Sequence, residues 1–416
     1  MSFWQAQFHR RLRKAIRKGR IEIIYPDGAT HCYGEPCAAP LRVRITTRSW
    51  LRRLTLDPEL ALGDAYMDGG LIIEAGDLYA LMDLVWSNVL SSGDGTGAAI
   101  PAAARRLLRR LDQFNPAGRA LKNVAHHYDL GNDFYRLFLD DDLQYSCAYF
   151  ERPDMSLEDA QAAKKRLIAR KLLIEPGKSI LEIGCGWGGL GLSLAAETGA
   201  RLDGITLSKE QLNVANARAA SKGLSKRARF ELSDYRAVEN GYDRIVSVGM
   251  FEHVGVPHYQ QYFDQVAKLL KDDGVALIHT IGRPDGPGAT NPWIARHIFP
   301  GGYIPALSEI VPSIERAGLF ITDLEVLRLH YAQTLKEWRR RFLENAHKVT
   351  RMYDARFVRM WEFYLASSEL SFRHGAHTVF QLQLAKRQEA VPVTRGYLLE
   401  EPPARSFQTE KPRVVA

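Results

Sequence analysis

Residues 181–192 read LEIGCGWGGLGL, an apolar run that ends in a glycine cluster and passes directly into a helix-forming stretch. Gly184, Gly186 and Gly189 satisfy the dinucleotide pattern G-x-G-x-x-G, whereas Glu182, Gly184, Gly186 and Gly188 satisfy E-x-G-x-G-x-G, which suits an adenosyl cofactor without bridging phosphates. Both patterns use glycine for one reason: the ligand lies close against the backbone, where a Cβ would intrude. The turn by itself leaves both ligands open.

The flanking order places this turn in a sheet. Ser156 with Asp159 makes a capping box for a helix through about Leu173, and SILEIGC (179–185) follows as a buried strand. The stretches ARLDGITL (200–207), ARFELSD (228–234), DRIVSVGM (243–250) and VALIHTIG (275–282) read as further strands, with helical segments at 189–197, 208–221 and 258–271. That alternation predicts an α/β fold, a parallel sheet with helices on both faces. A strand at LFITDLEVLRL (319–329), helices over 333–372 and the alternating TVFQLQLA (378–385) complete it. Ligands of such sheets sit at the carboxyl ends of the strands near a topological switch point, which is where residues 184–189 fall.

The second strand separates the two ligands. A dinucleotide site needs an acid at the end of that strand to hold the ribose hydroxyls. Asp203 comes too early, and the strand's end carries Thr206, Leu207 and Ser208, with Gln211 one helical turn on. Hydroxyls and an amide in place of the acid favour S-adenosylmethionine over a nicotinamide dinucleotide.

Composition narrows the setting. The 416 residues are 46% hydrophobic and 25% charged, and no run approaches the roughly 18 apolar residues of a membrane span. The N-terminus has basic residues without an apolar stretch after them, so no secretory signal is expected and the cytoplasm is the expected compartment. Cys32, Cys37, Cys147 and Cys185 are too few for a disulfide framework, and Cys32-x4-Cys37 lacks a second pair for zinc, so reduced thiols and no metal site are expected. The net charge of +8 is concentrated. Arg10, Arg11, Arg13, Lys14, Arg17, Lys18 and Arg20 stand beside Phe3, Trp4, Phe8, Leu12 and Ile16, and RRLLRRL (105–111) repeats the theme. On a helix Phe8, Leu12 and Ile16 share a stripe, which can either enter an anionic surface or pack into the protein with the charges solvated. The Gly-, Ser- and Ala-rich stretch 88–104 reads as a linker. The expected organisation is an N-terminal domain at 1–92, a linker at 93–120, a main domain at 121–396 and a flexible tail at 397–416.

Eight motifs in order then carry a resemblance: HHYDLGNDFY (126–135), YSCAYF (145–150), LEIGCGWGG (181–189), GITLSKEQ (204–211), SVGMFEHVG (247–255), HTIG (279–282), WIARHIFPGGYIP (293–305) and HYAQTL (330–335). From about residue 121 to 390 the chain resembles the cyclopropane-fatty-acyl-phospholipid synthase family, including the mycolic acid cyclopropane synthases. GDAYMDGG (63–70) resembles the extra N-terminal domain of the phospholipid-acting members. The resemblance implies a Rossmann-like class I methyltransferase sheet with a smaller N-terminal lipid-interacting domain. It also implies S-adenosylmethionine as methyl donor and unsaturated phospholipid acyl chains as acceptor. The basic segments would then meet an anionic membrane at its inner face rather than nucleic acid, and a homodimer is suggested.

The resemblance also assigns residues. Tyr145, Ser146, Glu182, Gly184, Gly186, Gly188, Thr206, Ser208 and Gln211 would hold the cofactor, with Asp234, Tyr235 and Arg236 placed where methyltransferases of this fold hold the adenine. A bound bicarbonate ion is implied as the base, in contact with Cys147, Glu252, His279 and Tyr331. Trp293, Phe299, Tyr303, Tyr331 and Tyr364 lie in stretches able to wall a pocket for a cationic intermediate. Ser368 stands where many relatives carry a cysteine, so no covalent cysteine chemistry is assigned there. Methyl-branching and methylene-branching of lipids, or N-methylation of a small amine, are the alternative reactions.

Overall fold

A computed structural model describes residues 1–35, 41–89, 113 and 130–399. The elements begin with α1 (Phe3–Ala15), β1 (Arg20–Ile24), β2 (Thr30–Gly34), β3 (Leu41–Ile45), α2 (Arg48–Leu56), α3 (Pro58–Met67), β4 (Leu71–Ala75) and α4 (Leu78–Val89). There follow α5 (Asn132–Tyr135), α6 (Leu157–Lys171), β5 (Ser179–Ile183), α7 (Gly189–Thr198), β6 (Arg201–Thr206), α8 (Lys209–Ser221), β7 (Ala228–Leu232), β8 (Tyr242–Val248), α9 (Tyr259–Leu269) and β9 (Leu270–Gly282). The last are α10 (Pro292–His297), α11 (Leu307–Arg316), β10 (Phe320–Val326), α12 (His330–Glu344), α13 (Ala346–Met352), α14 (Ala355–Arg373) and β11 (Thr378–Ala385).

Seven strands form the main sheet in the order β10-β11-β9-β8-β5-β6-β7. Neighbours from β9 through β7 are parallel, as the βα alternation dictates. The chain leaves β5 in one direction for β6 and returns to the other side for β8, so the switch point lies at the carboxyl end of β5. The glycine turn begins there. β11 departs from the all-parallel expectation by running antiparallel to both β9 and β10. Every residue of β11 is buried, including Gln381 and Gln383, so its polar alternation does not mark a solvent face. One sheet face is covered by α6, α7 and α8, where Ile168, Leu190 and Ala215 meet Leu202, Val246 and Leu277. The other is covered by α9 and α11, where Phe263, Val266 and Ile314 meet Leu181, Ile245 and Ile278.

Two boundaries shift. The strand expected at 319–329 stops at Val326, and Arg328 then takes a positive φ of 21°. The helical stretch 333–372 is three helices. Asn345 closes α12, and the Asp354 carboxylate starts α14 by accepting from the Phe357 N–H at 2.7 Å.

The smaller sheet has the order β2-β1-β3-β4. The α1 stripe of Trp4, Phe8, Leu12 and Ile16 packs on its core against Ile21, Ile23 and Tyr25, while Arg10, Arg11, Arg13, Lys14, Arg17 and Lys18 remain exposed. The stripe therefore belongs to the protein's own core. Residues 88 and 89 are not linker: α4 runs through Val89, and the buried Asn88 side chain accepts from the N–H groups of Arg17 and Lys18 at 2.8 and 2.9 Å. The linker at 93–120, apart from Gln113, and RRLLRRL lie outside the described residues. Packing continues past the expected tail boundary, because the Tyr397 hydroxyl donates to Gln383 and the Leu398 carbonyl accepts from Arg170, both at 3.2 Å.

The two parts meet along α3 and α4 on one side and α10 and α14 on the other. Tyr66 donates to Glu362 at 2.7 Å, Tyr79 to Glu369 at 3.0 Å, and His297 pairs with the buried Asp64 at 2.9 Å. Gly63 is glycine for a packing reason, since a Cβ there would stand 2.4 Å from the Trp293 indole nitrogen. Among the described residues no helix is long and apolar enough to cross a membrane.

Candidate active site

The glycines of the turn differ in purpose. Gly184, Gly186 and Gly188 all have positive φ, at 83°, 53° and 79°. A Cβ on Gly186 would meet nothing within 4 Å, and this residue lines a cavity at the carboxyl end of β5. A Cβ on Gly188 would stand 2.9 Å from Ala215 and 3.0 Å from Phe230, so its role is close packing of α7. Gly184 lines the cavity, and a Cβ on it would stand 2.9 Å from Met250 Cβ.

Of the residues assigned to the cofactor, Tyr145, Ser146, Glu182, Gly184, Gly186, Thr206, Gln211, Tyr235 and Arg236 line this cavity together with Asp234; Gly188 and Ser208 do not. Ser208 instead starts α8: its hydroxyl accepts from the Gln211 N–H at 3.3 Å, and its own N–H donates to Thr206 Oγ1 at 3.2 Å. Thr206 in turn donates to Gln211 Oε1 at 3.1 Å, so these groups hold one another at the end of β6. Asp203 accepts from the Tyr242 hydroxyl at 3.1 Å and is not among the lining residues, which removes the ribose acid of a dinucleotide site. After β7, Asp234 pairs with Arg236 at 2.6 Å, and the guanidinium lies 5.3 Å from the Tyr235 ring centre. Burial pushes the Glu182 carboxyl up to about 8, offset in part by Lys164 and the Gly191 N–H, and its Oε2 lacks a hydrogen bond of ordinary geometry. Room beside Gly186, a hydroxyl and amide pair at the β6 end and a mixed apolar and polar lining fit an adenosyl-methionine ligand.

A cluster of packed aromatic rings adjoins the cavity through Tyr145. The Tyr145 and Tyr364 hydroxyls are 3.0 Å apart, and the Phe299 ring lies 5.9 Å from both Tyr364 and His253. On the other side Trp338 packs 5.1 Å from Tyr145 and 5.8 Å from Tyr331. Phe299, Tyr331 and Tyr364 thus join one aromatic cluster. Trp293 does not share their setting, for it packs on Gly63 and Phe363 toward the N-terminal part. The Tyr303 hydroxyl is committed to Glu309 at 2.7 Å.

The titratable groups sit where β8, β9 and α12 end or begin. Glu252 follows β8, and its Oε1 accepts from the Ile281 N–H at 2.6 Å, while Oε2 is buried without a hydrogen bond of ordinary geometry. Burial raises its carboxyl to about 7, offset in part by that N–H. His279 on β9 is 2% exposed; burial, with Lys164 and Lys171 adding to it, lowers the imidazole to about 3. Its Nδ1 lies 3.1 Å from Gln381 Nε2, and Gln381 is directly opposite in the β11 register. With the Gln381 amide assigned in this orientation, its nitrogen donates to Nδ1 and the proton of a neutral imidazole sits on Nε2. Cys147 is fully buried, which pushes its thiol up, and the next N–H, from Ala148, donates to Thr334 Oγ1 at 3.0 Å, one helical turn from Tyr331.

Several participants carry no clear mark in the sequence. His253 lines the cavity and is lowered to about 4 by burial; its adjacency to Glu252 in MFEHVG was the available sign. The Ile281 N–H is a backbone group, invisible to residue type. Gln381 is 102 positions from the histidine it contacts.

The family described as mycolic acid cyclopropane synthetase matches residues 116–382, and a domain of unknown function matches residues 8–93. The chain is 37% identical over 356 residues to the cyclopropane-fatty-acyl-phospholipid synthase of Escherichia coli strain K12, covering 85% of this chain and 90% of that one. It is 33% identical over 397 residues to a tuberculostearic acid methyltransferase of Mycobacterium tuberculosis, covering 91% and 90%. The solved cyclopropane synthase MmaA2 of Mycobacterium tuberculosis superposes with a TM-score of 0.62 at 35% identity, over 66% of this chain and 99% of that one. The mycolic acid cyclopropane synthase CmaA1, complexed with SAH and CTAB, gives 0.61 at 34% identity over the same shares. With the switch-point glycine turn, the closed β6 network and the antiparallel last strand in place, the chain belongs to the mycolic acid cyclopropane synthetase family and is an S-adenosylmethionine-dependent methyltransferase.

Proposed function

We propose that the enzyme methylates a cis double bond in the acyl chain of a membrane phospholipid and closes a cyclopropane ring. The observation that carries this reading is the aromatic cluster beside the donor cavity, together with buried titratable groups after β8 and on β9 that are driven toward neutrality. His253 and His279 are lowered and Glu252 is raised, each by burial. A cationic or protonatable amine acceptor is served by a carboxylate held ionised, and the environment of Glu252 works the other way. An alkene is a weak nucleophile, so the protein's contribution is orientation and shelter. The faces of Phe299, Tyr364 and Tyr331 supply electron-rich walls for positive charge on the acyl chain.

Bound bicarbonate would supply the base that removes the proton released by ring closure. The chemistry of the assigned side chains suits such an ion. Glu252 Oε2 is a buried acceptor for its hydroxyl, and neutral His279 turns an Nε2–H donor away from Gln381. Tyr331 and Cys147 add a phenol and a thiol. A phospholipid rather than a carrier-bound acceptor is supported by likeness to the Escherichia coli enzyme across both parts of the chain. The exposed basic side of α1, with Phe3 67% exposed at its start, supports peripheral contact with an anionic inner leaflet.

The test is incubation with isotopically labelled S-adenosylmethionine and vesicles of cis-unsaturated phospholipid, followed by mass spectrometry of the lipids. The expected product is one methylene unit heavier and resists ozonolysis. A product of that mass that ozone still cleaves would mean methylene branching, and label confined to water-soluble amines would overturn a lipid acceptor altogether.

A further inference from the structure

Lys164 is a buried cation outside the set that the resemblance assigned. It lies on α6, is fully buried, and is absent from the cavity lining. Its Nζ donates to Gln144 Oε1 at 2.7 Å and to Ser146 Oγ at 2.8 Å. One turn earlier on the same helix face, buried Gln161 Nε2 donates to the carbonyls of Gln144 and Ser146 at 3.3 and 3.0 Å. Two side chains of one helix thus grip alternate residues of one loop through both side chain and backbone.

That loop needs holding. Residues 141–150 form no helix or strand, and Leu143 within it has a φ of 56°, a conformation costly for any residue that carries a Cβ. Gln144, Tyr145 and Ser146 nevertheless all line the cofactor cavity. Anchoring residues 144 and 146 on α6 fixes Tyr145 between them, with its hydroxyl 3.0 Å from that of Tyr364. A buried ammonium is costly unless its donors are matched, and a structural core would use an apolar residue here at less cost. Burial lowers the Lys164 ammonium to about 8, offset in part by Asp140, which takes the Gln144 N–H at 2.8 Å.

We propose that Lys164, with Gln161, is a positioning residue for the methyl donor: it clamps the 144–146 loop against α6 so that the loop forms one wall of the S-adenosylmethionine cavity. The full-length K164M and Q161L proteins test this by titration calorimetry with S-adenosylhomocysteine. Both are expected to bind it at least about tenfold more weakly than the parent, a loss of about 1.4 kcal/mol. In turnover with unsaturated phospholipid vesicles, KM for S-adenosylmethionine should rise by a similar factor while the dependence on lipid concentration stays within about twofold. A general loss of structure would move both together. Unchanged S-adenosylhomocysteine affinity in folded K164M overturns the proposal. If K164M does not fold, Q161L decides in the same way, because Gln161 does not line the cavity and leaves the ammonium and its acceptors in place. The calorimetric result depends on the cofactor alone, so it can fail while the lipid acceptor stands, and the reverse.

Discussion

Glu252 shows how far one residue can be read before its surroundings are known. A carboxylate directly after the apolar strand VSVGMF has no solvent to face, so the sequence alone marks it as having a task. Its partner could not be read, since the Ile281 N–H reaches it across 29 positions. The same limit hid Lys164 and Gln381, whose hydrogen bonds join segments that only the packed sheet brings together. The raised carboxyl has a stability consequence. In the folded protein Glu252 titrates near 7, against about 4.5 when unfolded, so the folded state holds its proton more tightly between those values. Its contribution to stability is therefore lost as pH rises through that window, reaching about 3 kcal/mol at pH 8. E252Q keeps an oxygen for the Ile281 N–H and removes the ionisable group. It should melt close to the parent at pH 4.5 and clearly above it at pH 8 in cofactor-free thermal unfolding, while losing turnover. A variant that melts below the parent at pH 8 would show that the carboxylate is not buried at a cost.

At the scale of elements, periodicity specifies the structure where the chain alternates strand and helix, and it stops short of the pairing where a strand enters out of sequence. β5 to β9 follow from their apolar runs and the helices between them. TVFQLQLA also reads as a strand, but nothing local tells that it slips antiparallel between β9 and β10, or that its glutamines are buried to hold His279 and the end of α6. The glycine turn was legible as a ligand turn, yet its pattern could not assign separate duties to the three glycines. G186A and G188A separate those duties. Both substitutions bear the strain of positive φ, about 1–2 kcal/mol. Only at Gly188 does the new methyl also press into Ala215 and Phe230, so G188A should lose clearly more stability, about 3 kcal/mol or more. G186A should keep its melting temperature within a few degrees of the parent and lose S-adenosylhomocysteine binding at least tenfold, because its methyl enters the cavity. Equal binding losses in two equally stable variants would contradict this division.

For the whole molecule, the question is how a protein with no membrane-spanning helix among its described residues meets an acyl chain. The sequence offered two uses for the α1 stripe, and the fold takes the inward one: Trp4, Phe8, Leu12 and Ile16 complete the small core. Deleting the first 20 residues would therefore damage that core and could not test membrane contact. The exposed charges can be removed without touching it, since Arg10, Arg13, Lys14, Arg17 and Lys18 all lie outside the stripe. Each basic group near an anionic leaflet is worth about 1 kcal/mol, so replacing four of these five with glutamine should weaken binding to phosphatidylserine-containing vesicles on the order of a hundredfold or more. The effect should shrink as salt rises, because charges farther than about 8–10 Å from the surface are screened near physiological ionic strength. Binding to neutral vesicles should hardly change, and calorimetric affinity for S-adenosylhomocysteine should match the parent, because the helix contributes no residue to the cofactor cavity. Co-sedimentation with anionic and neutral vesicles across a salt series reads the vesicle terms, and calorimetry the cofactor affinity. If the neutralised protein sediments with anionic vesicles as the parent does, then α1 is a helix of the small core with solvated charges and has no part in membrane contact.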